Sequence, residues 1–372
     1  MTAAHTDVLL ISTVGGVGGC TRVVGDLARL WRDSGLNVRL VFPDPGAEDT
    51  TSALAWLAGE GIEAEASESV AAWYQGHGPG QALHFRSWAR AQGARRIYLH
   101  FGSNQIAFWD VVGARLAGQA YVMVHHAAPL HGARRRLLTR FGATLARKVV
   151  VSTPVMRDLL TAMGVRQSKI AIVPLAVRPP ATQPSRVAAR STLGLPEDSF
   201  VVSMVARLDR GKNAVKLVET VSELVAEGHN IHLVVAGRGE TLEEVRARSA
   251  ELLGDRGHIL GFTESVDPVY AASNVFVLPS QEEGFGLVYL EAAWFGVPSI
   301  GFDVGGVKYA IADGETGRTV PALDWTAFKE ALRNFAADPE LARSMGERAA
   351  ARAREQFAPE VMADGHRRVL GL

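Results

Sequence analysis

Short apolar runs with strand character alternate with helical patterns throughout this chain. Residues 8–13 read as a buried parallel strand, residues 20–32 as a helix and residues 38–42 as the next strand. Further strand-like runs lie at 96–100, 121–125, 148–152, 169–173, 200–206, 231–236 and 274–278. This alternation predicts an α/β protein with doubly wound parallel sheets, in which ligands bind beyond the carboxyl ends of the strands.

Two domains fit the length of 372 residues, and 47% hydrophobic with 21% charged residues is typical of a globular protein. Residues 177–184 read Val-Arg-Pro-Pro-Ala-Thr-Gln-Pro, a composition typical of a linker. We therefore predict a first domain at 1–178, a linker at 179–186 and a second domain at 187–356. A helical segment at 359–369 falls within the remaining residues 357–372.

Acidic and basic residues balance at 39 each, but they are unevenly distributed. Residues 1–178 hold 19 Lys and Arg against 12 Asp and Glu, whereas the remainder holds 20 against 27. The basic first half could attract an anionic acceptor or a membrane surface.

One segment, residues 134–148, concentrates this positive charge. Its cations are Arg134, Arg135, Arg136, Arg140, Arg147 and Lys148, and its apolar positions are Leu137, Leu138, Phe141 and Leu145. The pattern predicts a helix with a solvated basic face that covers the core. The alternative is electrostatic docking of this segment on anionic lipid.

The single cysteine, Cys20, excludes an internal disulfide and favours a reducing cytoplasm as the location of the protein. We expect Cys20 to be a small packed side chain beside a glycine-rich turn. The apolar run at 8–11 is too short for a signal-peptide core or a membrane span, and no basic region precedes it.

One strand–turn–helix stretch carries two carboxylates. The apolar run at 274–278 is followed by a glycine-containing turn and then by helix formers, with a stop expected near Gly296. Glu283 lies on the turn, and Glu291 lies about two turns into the helix. A helix N-terminus suits a phosphate, and a carboxylate such as that of Glu291 can accept hydrogen bonds from sugar hydroxyls.

This stretch resembles the E-x7-E motif of retaining glycosyltransferases of family 4. Residues 283–292 read Glu-Gly-Phe-Gly-Leu-Val-Tyr-Leu-Glu-Ala, and the match continues through Gly305-Gly306 to Asp-Gly-Glu-Thr-Gly at 313–317. The resemblance implies the GT-B fold, in which two Rossmann-like domains face a cleft. It also implies that the C-terminal helix crosses back to the first domain.

The resemblance further implies roles for individual side chains. Glu283 would hold hydroxyls of the donor sugar, and Glu291 would hold the ribose. Arg207 and Lys212 match the Arg-x4-Lys pair of the family and flank a turn at a strand end, where a diphosphate leaving group needs its charge neutralised. The other implied donor contacts are Phe285, Gly286 and Leu287 at the helix N-terminus, with Gly237, Arg238, Gly261 and Phe262 near the nucleoside.

In the first domain the candidate residues are Gly16 and His125. The glycine-rich turn at 14–19 does not have G-x-G-x-x-G spacing, so a dinucleotide cofactor is disfavoured. The resemblance implies that Gly16 lies beside the donor phosphate and the acceptor, and that His125 contacts the donor sugar, with His126 left open. Two departures from the family pattern, Leu175-Ala176 and Lys308-Tyr309, have no assigned effect.

The sequence thus predicts a retaining glycosyltransferase that moves a sugar from a UDP- or GDP-linked donor. No cofactor is expected, because the nucleotide sugar is a co-substrate, and no metal is expected, because no Asp-x-Asp stands at a strand end. The family is thought to use front-side attack, with the leaving phosphate taking the proton of the acceptor.

An epimerase or hydrolase of the same fold and a non-catalytic nucleotide-sugar sensor remain alternatives. Nucleic acid is disfavoured, since the basic segment lacks interleaved aromatics. The sugar, the acceptor and the oligomeric state stay undetermined.

Overall fold

The computed structural model describes residues 6–13, 16, 18–43, 46–68, 70, 78–102, 106, 108–124, 133–180 and 183–372. The chain forms two compact units, Met1–Ala176 with Pro359–Leu372, and Val177–Ala358. The first boundary lies two residues before the predicted end of the first domain, and the predicted linker belongs to the second unit.

The first unit is built on a parallel sheet with seven strands among the described residues. The strands are β1 (Val8–Ser12), β2 (Val38–Pro43), β3 (Glu65–Ser67), β4 (Arg96–Phe101), β5 (Gln119–Val124), β6 (Lys148–Val151) and β7 (Ile170–Ile172). Their order is β3-β2-β1-β4-β5-β6-β7. Residues 8–11 of β1 are completely buried, as expected for a central strand of a sheet covered on both faces.

Helices connect these strands. They are α1 (Gly19–Asp33), α2 (Glu48–Gly59), α3 (Pro79–Ala91), α4 (Phe108–Ala117), α5 (Ala133–Leu145) and α6 (Pro154–Ala162). The side chain of Thr153 caps α6 by accepting a hydrogen bond from the Met156 amide, and Pro154 occupies the first turn, where its missing N–H costs nothing.

The second unit contains a parallel sheet with six strands. They are β8 (Phe200–Val205), β9 (Ile231–Ala236), β10 (Gly257–Gly261), β11 (Val275–Leu278), β12 (Ser299–Phe302) and β13 (Gly317–Val320), in the order β10-β9-β8-β11-β12-β13. The sequence reasoning identified β8, β9 and β11 as strands. It missed β3, β10, β12 and β13 because each is only three residues long or contains glycine, so that none forms a continuous apolar run.

Eight further helices pack around this sheet within the described residues. They are α7 (Arg186–Leu193), α8 (Ala214–Ala226), α9 (Leu242–Leu252), α10 (Asp267–Ala272), α11 (Leu287–Trp294), α12 (Val307–Ala310), α13 (Trp325–Ala337) and α14 (Pro339–Gln356). Small residues let α14 lie close to α11, since Ala349 and Ala353 form one buried cluster with Ala293 and Trp294. The two parallel sheets with their helices confirm the predicted doubly wound α/β class.

The last helix, α15 (Pro359–Leu370), belongs to the first unit. The indole Nε1 of Trp31 donates to the carbonyl oxygen of Ala363 at 3.1 Å, and the Tyr98 hydroxyl lies 2.5 Å from Nδ1 of His366. The chain therefore returns to its first unit after completing the second, as the resemblance implies.

Helix α5 departs from the prediction in the face that it buries. Leu137, Phe141 and Leu145 are 50%, 49% and 38% exposed, whereas Thr139 and Ala143 are almost completely buried. The core therefore contacts the small residues of α5, and the expectation that the large apolar side chains cover the core is wrong for these three, whereas Leu138 is half-buried. Within the described chain, no helix is both long enough and apolar enough to span a membrane.

Candidate active site

The carboxyl ends of β8 and β11 meet where the strand order of the second sheet reverses. These two strands are neighbours, and the chain continues from β8 to β9 on one side and from β11 to β12 on the other. The Gln281 amide donates to the carbonyl oxygen of Gly211 at 2.8 Å, and Nδ2 of Asn213 donates to that of Pro279 at 2.8 Å. The loops after β8 and β11 are thus tied together at the position where doubly wound sheets bind ligands.

Lys212 and Glu283 form an ion pair across these loops. The ammonium Nζ lies 2.5 Å from Oε1 of Glu283, and the Ser280 hydroxyl donates to the same oxygen at 2.9 Å. The two charged side chains are only 20% and 11% exposed, so solvent screens this pair less than an ion pair on the open surface. A cation and a carboxylate consequently lie side by side at the carboxyl ends of the two central strands.

Two glycines bring another segment against the backbone of Glu283. A Cβ atom on Gly305, whose φ is +52°, would lie 1.8 Å from the carbonyl oxygen of Glu283. A Cβ atom on Gly306 would lie 2.1 Å from the carbonyl oxygen of Gly284, and the Gly306 amide donates to the Glu283 carbonyl at 3.3 Å. Because only glycine permits this approach, the segment fixes the backbone that carries the Glu283 carboxylate.

Arg352 on α14 stabilises the segment that packs against Glu283. Its guanidinium donates to the carbonyl oxygens of Tyr309 and Ala310 at 2.7 and 2.8 Å, which holds the helix that follows Gly306. The guanidinium also lies 4.8 Å from the centre of the Phe357 ring, and Phe357 packs edge-on against Phe285 at 5.8 Å. Phe285 is 2% exposed, so it anchors the turn in the core beside Glu283.

Helix α11 begins at this turn. Gly286, with φ +80°, is its N-cap, no side chain caps the helix, and Leu287 is its first residue. The first amides of α11 therefore present the partial positive charge of a helix N-terminus next to Glu283. The Tyr289 hydroxyl donates to the carbonyl oxygen of Leu278 at 2.8 Å, which holds the first turn of the helix against β11.

Glu291 lies four residues after Leu287, hence about one turn into α11 rather than the predicted two. Its side chain is half-buried, and its Oε2 accepts a hydrogen bond from the Tyr270 hydroxyl at 2.7 Å.

The two cations predicted for the diphosphate have different partners. Lys212 is joined to Glu283, whereas Nε of Arg207 lies 2.9 Å from Oδ2 of Asp209 in its own loop. The Arg207 side chain is 79% exposed, so this ion pair contributes little to stability. Lys212 is therefore held beside Glu283, whereas the side chain of Arg207, five residues earlier in the same loop, is exposed to solvent.

The predicted nucleoside contacts lie together at the carboxyl ends of β9 and β10. The Gly237 amide donates to the carbonyl oxygen of Gly261 at 2.7 Å. The Arg238 guanidinium lies 5.0 Å from the centre of the Phe262 ring, and Phe262 is 65% exposed. An exposed arginine over an aromatic ring offers a flat surface of the kind on which nucleobases stack.

In the first unit, Gly16 has φ +80°, and its amide donates to the carbonyl oxygen of Asp49 at 2.7 Å. Its own carbonyl oxygen accepts from the Thr21 hydroxyl at 2.6 Å, which ties Gly16 to α1. His125 and His126 lie outside the described residues.

The two departures from the family pattern fall in different surroundings. Leu175 and Ala176 are 5% and 3% exposed, at the end of the first continuous segment of the first unit. Lys308 is exposed, and its ammonium lies 5.8 Å from the centre of the Tyr309 ring.

Sequence reasoning missed three residues that hold the site together: Ser280, Tyr270 and Arg352. Ser280 stands two residues after the end of β11, so its position was a usable signal. Tyr270 lies far along the chain from the Glu291 carboxylate, and Arg352 lies far from the backbone carbonyl groups that it holds, and no local pattern marks either residue. Across the described residues, no group of three or more His, Cys, Asp and Glu side chains is arranged to hold a metal ion.

Two domain families match the chain. Residues 18–176 match the glycosyl transferase 4-like domain, and residues 185–352 match glycosyl transferases group 1. A D-inositol 3-phosphate glycosyltransferase of Streptomyces avermitilis is 34% identical over 215 residues, which cover 54% of this chain and 46% of that protein. The capsular polysaccharide biosynthesis glycosyltransferase CapM of Staphylococcus aureus is 29% identical over 44% of each chain. The matches thus span about half the length of these curated relatives.

Solved structures are similar over the full chain. HepE of Anabaena, in complex with UDP and glucose, has a TM-score of 0.81 at 18% identity and covers 99% of this chain and 100% of its own. Sucrose-phosphate synthase from Thermosynechococcus elongatus has a TM-score of 0.77 at 23% identity, with 98% of both chains covered. At these identities the likeness establishes the fold, which is GT-B.

Proposed function

Because this chain is a GT-B glycosyltransferase, with a glycosyl transferase 4-like domain followed by a group 1 domain, we propose that it moves a sugar from a nucleoside-diphosphate sugar to an acceptor with retention at the anomeric carbon. The observation that carries the proposal is the meeting of Lys212, Glu283 and the N-terminus of α11 at the carboxyl ends of β8 and β11. HepE, with UDP and glucose in its structure, supports a uridine nucleotide as the first donor to test.

Cleavage of the bond between the sugar and the phosphate develops negative charge on the diphosphate and positive charge on the sugar ring. The Lys212 ammonium and the first amides of α11 stabilise the diphosphate as this charge grows. The Glu283 carboxylate accepts hydrogen bonds from sugar hydroxyls near the developing cation, and Glu291 accepts them from the ribose. Arg207 supplies a second cation after exchanging Asp209 for phosphate, an exchange that costs little at so exposed a site.

The function is tested by a thermal-shift screen of UDP, GDP and their sugar derivatives, since a ligand that binds the native state raises its apparent melting temperature. The stabilising donor is then incubated with inositol 3-phosphate, a first acceptor taken from the name of the Streptomyces relative, and with simple sugars. Proton NMR of the product reports the anomeric configuration. Inversion would contradict the proposed mechanism, donor consumption without an acceptor would favour a hydrolase or epimerase, and binding without turnover would favour a sensor.

Activity is expected to survive chelation of divalent metals. Lys212, Arg207 and the N-terminus of α11 supply the positive charge that a bound metal gives the diphosphate in metal-dependent transferases. Initial rates in an excess of EDTA should equal those in buffer. A loss of rate that Mg²⁺ or Mn²⁺ restores would contradict the assignment of these side chains as the counter-charge.

Helix α5 supports a second part of the proposal, contact with an anionic membrane surface. Leu137, Phe141 and Leu145 stand four residues apart and are all exposed, so they form an apolar stripe along the helix. Arg136 and Arg140 are exposed beside it, and residues 111–157 contain no Asp or Glu. An apolar stripe with flanking cations is typical of helices that lie in the headgroup region of a bilayer.

Sedimentation with vesicles checks this contact. The protein should bind vesicles that contain phosphatidylglycerol, and replacing Leu137, Phe141 and Leu145 together by serine should weaken binding by roughly tenfold or more, because about 0.8 kcal/mol is lost for each buried methylene. Leu323→Ser, at an exposed position of the second unit, is the matched control. Equal binding of the triple variant and the parent would remove α5 from any membrane contact.

The cytoplasmic location inferred from the single cysteine stays a prediction. Cys20 lies half-buried at the start of α1, and burial raises the pKa of its thiol to about 11. The thiol is therefore protonated at neutral pH, which agrees with the expected role as a packed side chain and not as a nucleophile.

A further inference from the structure

The hydrogen bond from Tyr270 to Glu291 joins a buried aromatic side chain to the carboxylate proposed to hold the ribose. Tyr270 lies on α10, Glu291 lies on α11, and the phenol oxygen is 2.7 Å from Oε2. A hydrogen bond to a charged group is among the stronger contacts that a neutral donor makes.

Packing fixes the direction in which this hydroxyl points. Tyr270 is 1% exposed, and its ring stacks on Phe295 at 5.7 Å and meets Phe276 edge-on at 5.6 Å. Phe276 is itself part of β11, so the tyrosine is held against the central region of the sheet. The ring cannot turn without disturbing these contacts, and the hydroxyl therefore offers Glu291 a donor at a constant position.

A glutamate side chain has several rotatable bonds, and ordering them on ligand binding lowers affinity. A carboxylate that must accept hydrogen bonds from the adjacent hydroxyls of a ribose has to present its oxygens in one orientation. The contact with Tyr270 holds Oε2 and so restricts the rotamers that the side chain can adopt before the nucleotide arrives.

We propose that Tyr270 is a positioning residue for the ribose of the nucleotide donor and that it acts by orienting the Glu291 carboxylate. This inference rests on the proposed function, because it requires Glu291 to contact the ribose. Beyond the proposed function, selection for the ribose hydroxyls then depends on Tyr270, a side chain that does not touch the nucleotide.

Isothermal titration with two ligands tests the proposal. UDP carries both ribose hydroxyls, and 2′,3′-dideoxyuridine 5′-diphosphate carries neither. The parent protein should bind UDP more tightly than the dideoxy analogue, and Tyr270→Phe should weaken UDP binding by about three- to tenfold, the range expected for the ordering of one flexible side chain. Binding of the dideoxy analogue should not change. The dissociation constant of the analogue divided by that of UDP should therefore be smaller in the variant than in the parent. If the protein binds GDP more tightly than UDP, the guanosine pair replaces the uridine pair.

A double-mutant cycle shows whether Tyr270 acts through Glu291. Glu291→Ala should weaken UDP binding by roughly tenfold or more, because a charged acceptor is lost. In the Glu291→Ala background, Tyr270→Phe should have no further effect on UDP affinity. Tyr121→Phe is the matched control, because it also removes a buried phenol hydroxyl, one that bonds to Gln119 and to the Leu370 carbonyl in the first unit.

The outcomes separate the two ideas. An unchanged UDP affinity in Glu291→Ala would overturn the ribose role of Glu291, and with it the part of the proposed function on which this inference rests. A normal loss in Glu291→Ala, combined with an unchanged affinity ratio in Tyr270→Phe, would overturn the positioning role alone. A lower melting temperature in Tyr270→Phe with the parent's ratio would leave Tyr270 a purely structural residue and would equally overturn the inference.

Discussion

Lys212→Ala is expected to lower kcat by about 10²- to 10³-fold, the size of effect found when one electrostatic stabiliser of a transition state is removed. In the proposed reaction the ammonium faces a diphosphate whose charge grows as the bond between sugar and phosphate breaks, so its contact strengthens on the way to the transition state. Steady-state kinetics with the donor identified by the thermal-shift screen measures kcat and KM separately. Lys212→Arg need not restore the rate, because a planar guanidinium does not reproduce a compact ammonium.

Lys216→Ala is the matched control for this experiment. Lys216 stands four residues later on α8, is 45% exposed and also pairs with a glutamate, Glu219, at 3.0 Å. Its loss should leave kcat unchanged. A rise in KM alone for Lys212→Ala would make Lys212 an anchor for the bound donor, and the same small effect for both variants would show that Lys212 has no part in the reaction.

Gly305→Ala is expected to reduce kcat by about 10²-fold, since a displacement of roughly 1 Å at reacting groups can have an effect of this size. The added Cβ atom would lie 1.8 Å from the carbonyl oxygen of Glu283, closer than any real carbon–oxygen contact. The backbone that carries the Glu283 carboxylate must therefore move, and its ion pair with Lys212 must move with it. The measurement is kcat together with the melting temperature of the variant.

Gly314→Ala separates this effect from backbone strain. Gly314 also has a positive φ, +76°, but a Cβ atom there would meet nothing within 4 Å. Both variants carry the strain of placing alanine in a left-handed conformation, and only Gly305→Ala also meets the backbone of Glu283. If the two variants lost activity to the same extent, the close approach of Gly305 to Glu283 would have no functional importance.

Continuous apolar runs explain which parts of the fold were predictable from the sequence. Strands such as β1 and β9 are buried along their length and uninterrupted by glycine, so their pattern alone identified them. Helix α5 shows the limit of this reasoning. Its periodicity correctly indicated a helix, but Leu137 and Phe141 are exposed while Ala143 is buried. Which face is covered depends on what the rest of the chain places beside it, and the local sequence does not contain that information.

The same limit applies to the candidate site. Lys212 and Glu283 were both singled out because they match motifs of the family, and each also follows a strand. Parallel strands that neighbour one another bring their following loops together, so these two matches could be expected to meet. The supports of these residues could not be found in this way. Tyr270 reaches Glu291 from a different helix, and Arg352 supports the turn through backbone carbonyl groups, which any sequence provides.

The return of α15 to the first unit has a consequence for synthesis on the ribosome. Trp31 and Tyr98 are completely buried, and their polar atoms bond to Ala363 and His366 of α15. A nascent chain therefore emerges with this face of its first unit uncovered, and the face stays uncovered while all of Val177–Ala358 is made. The second unit, whose residues are contiguous, can complete its core earlier. In this protein the unit that is translated first can complete its core only after the rest of the chain has been made.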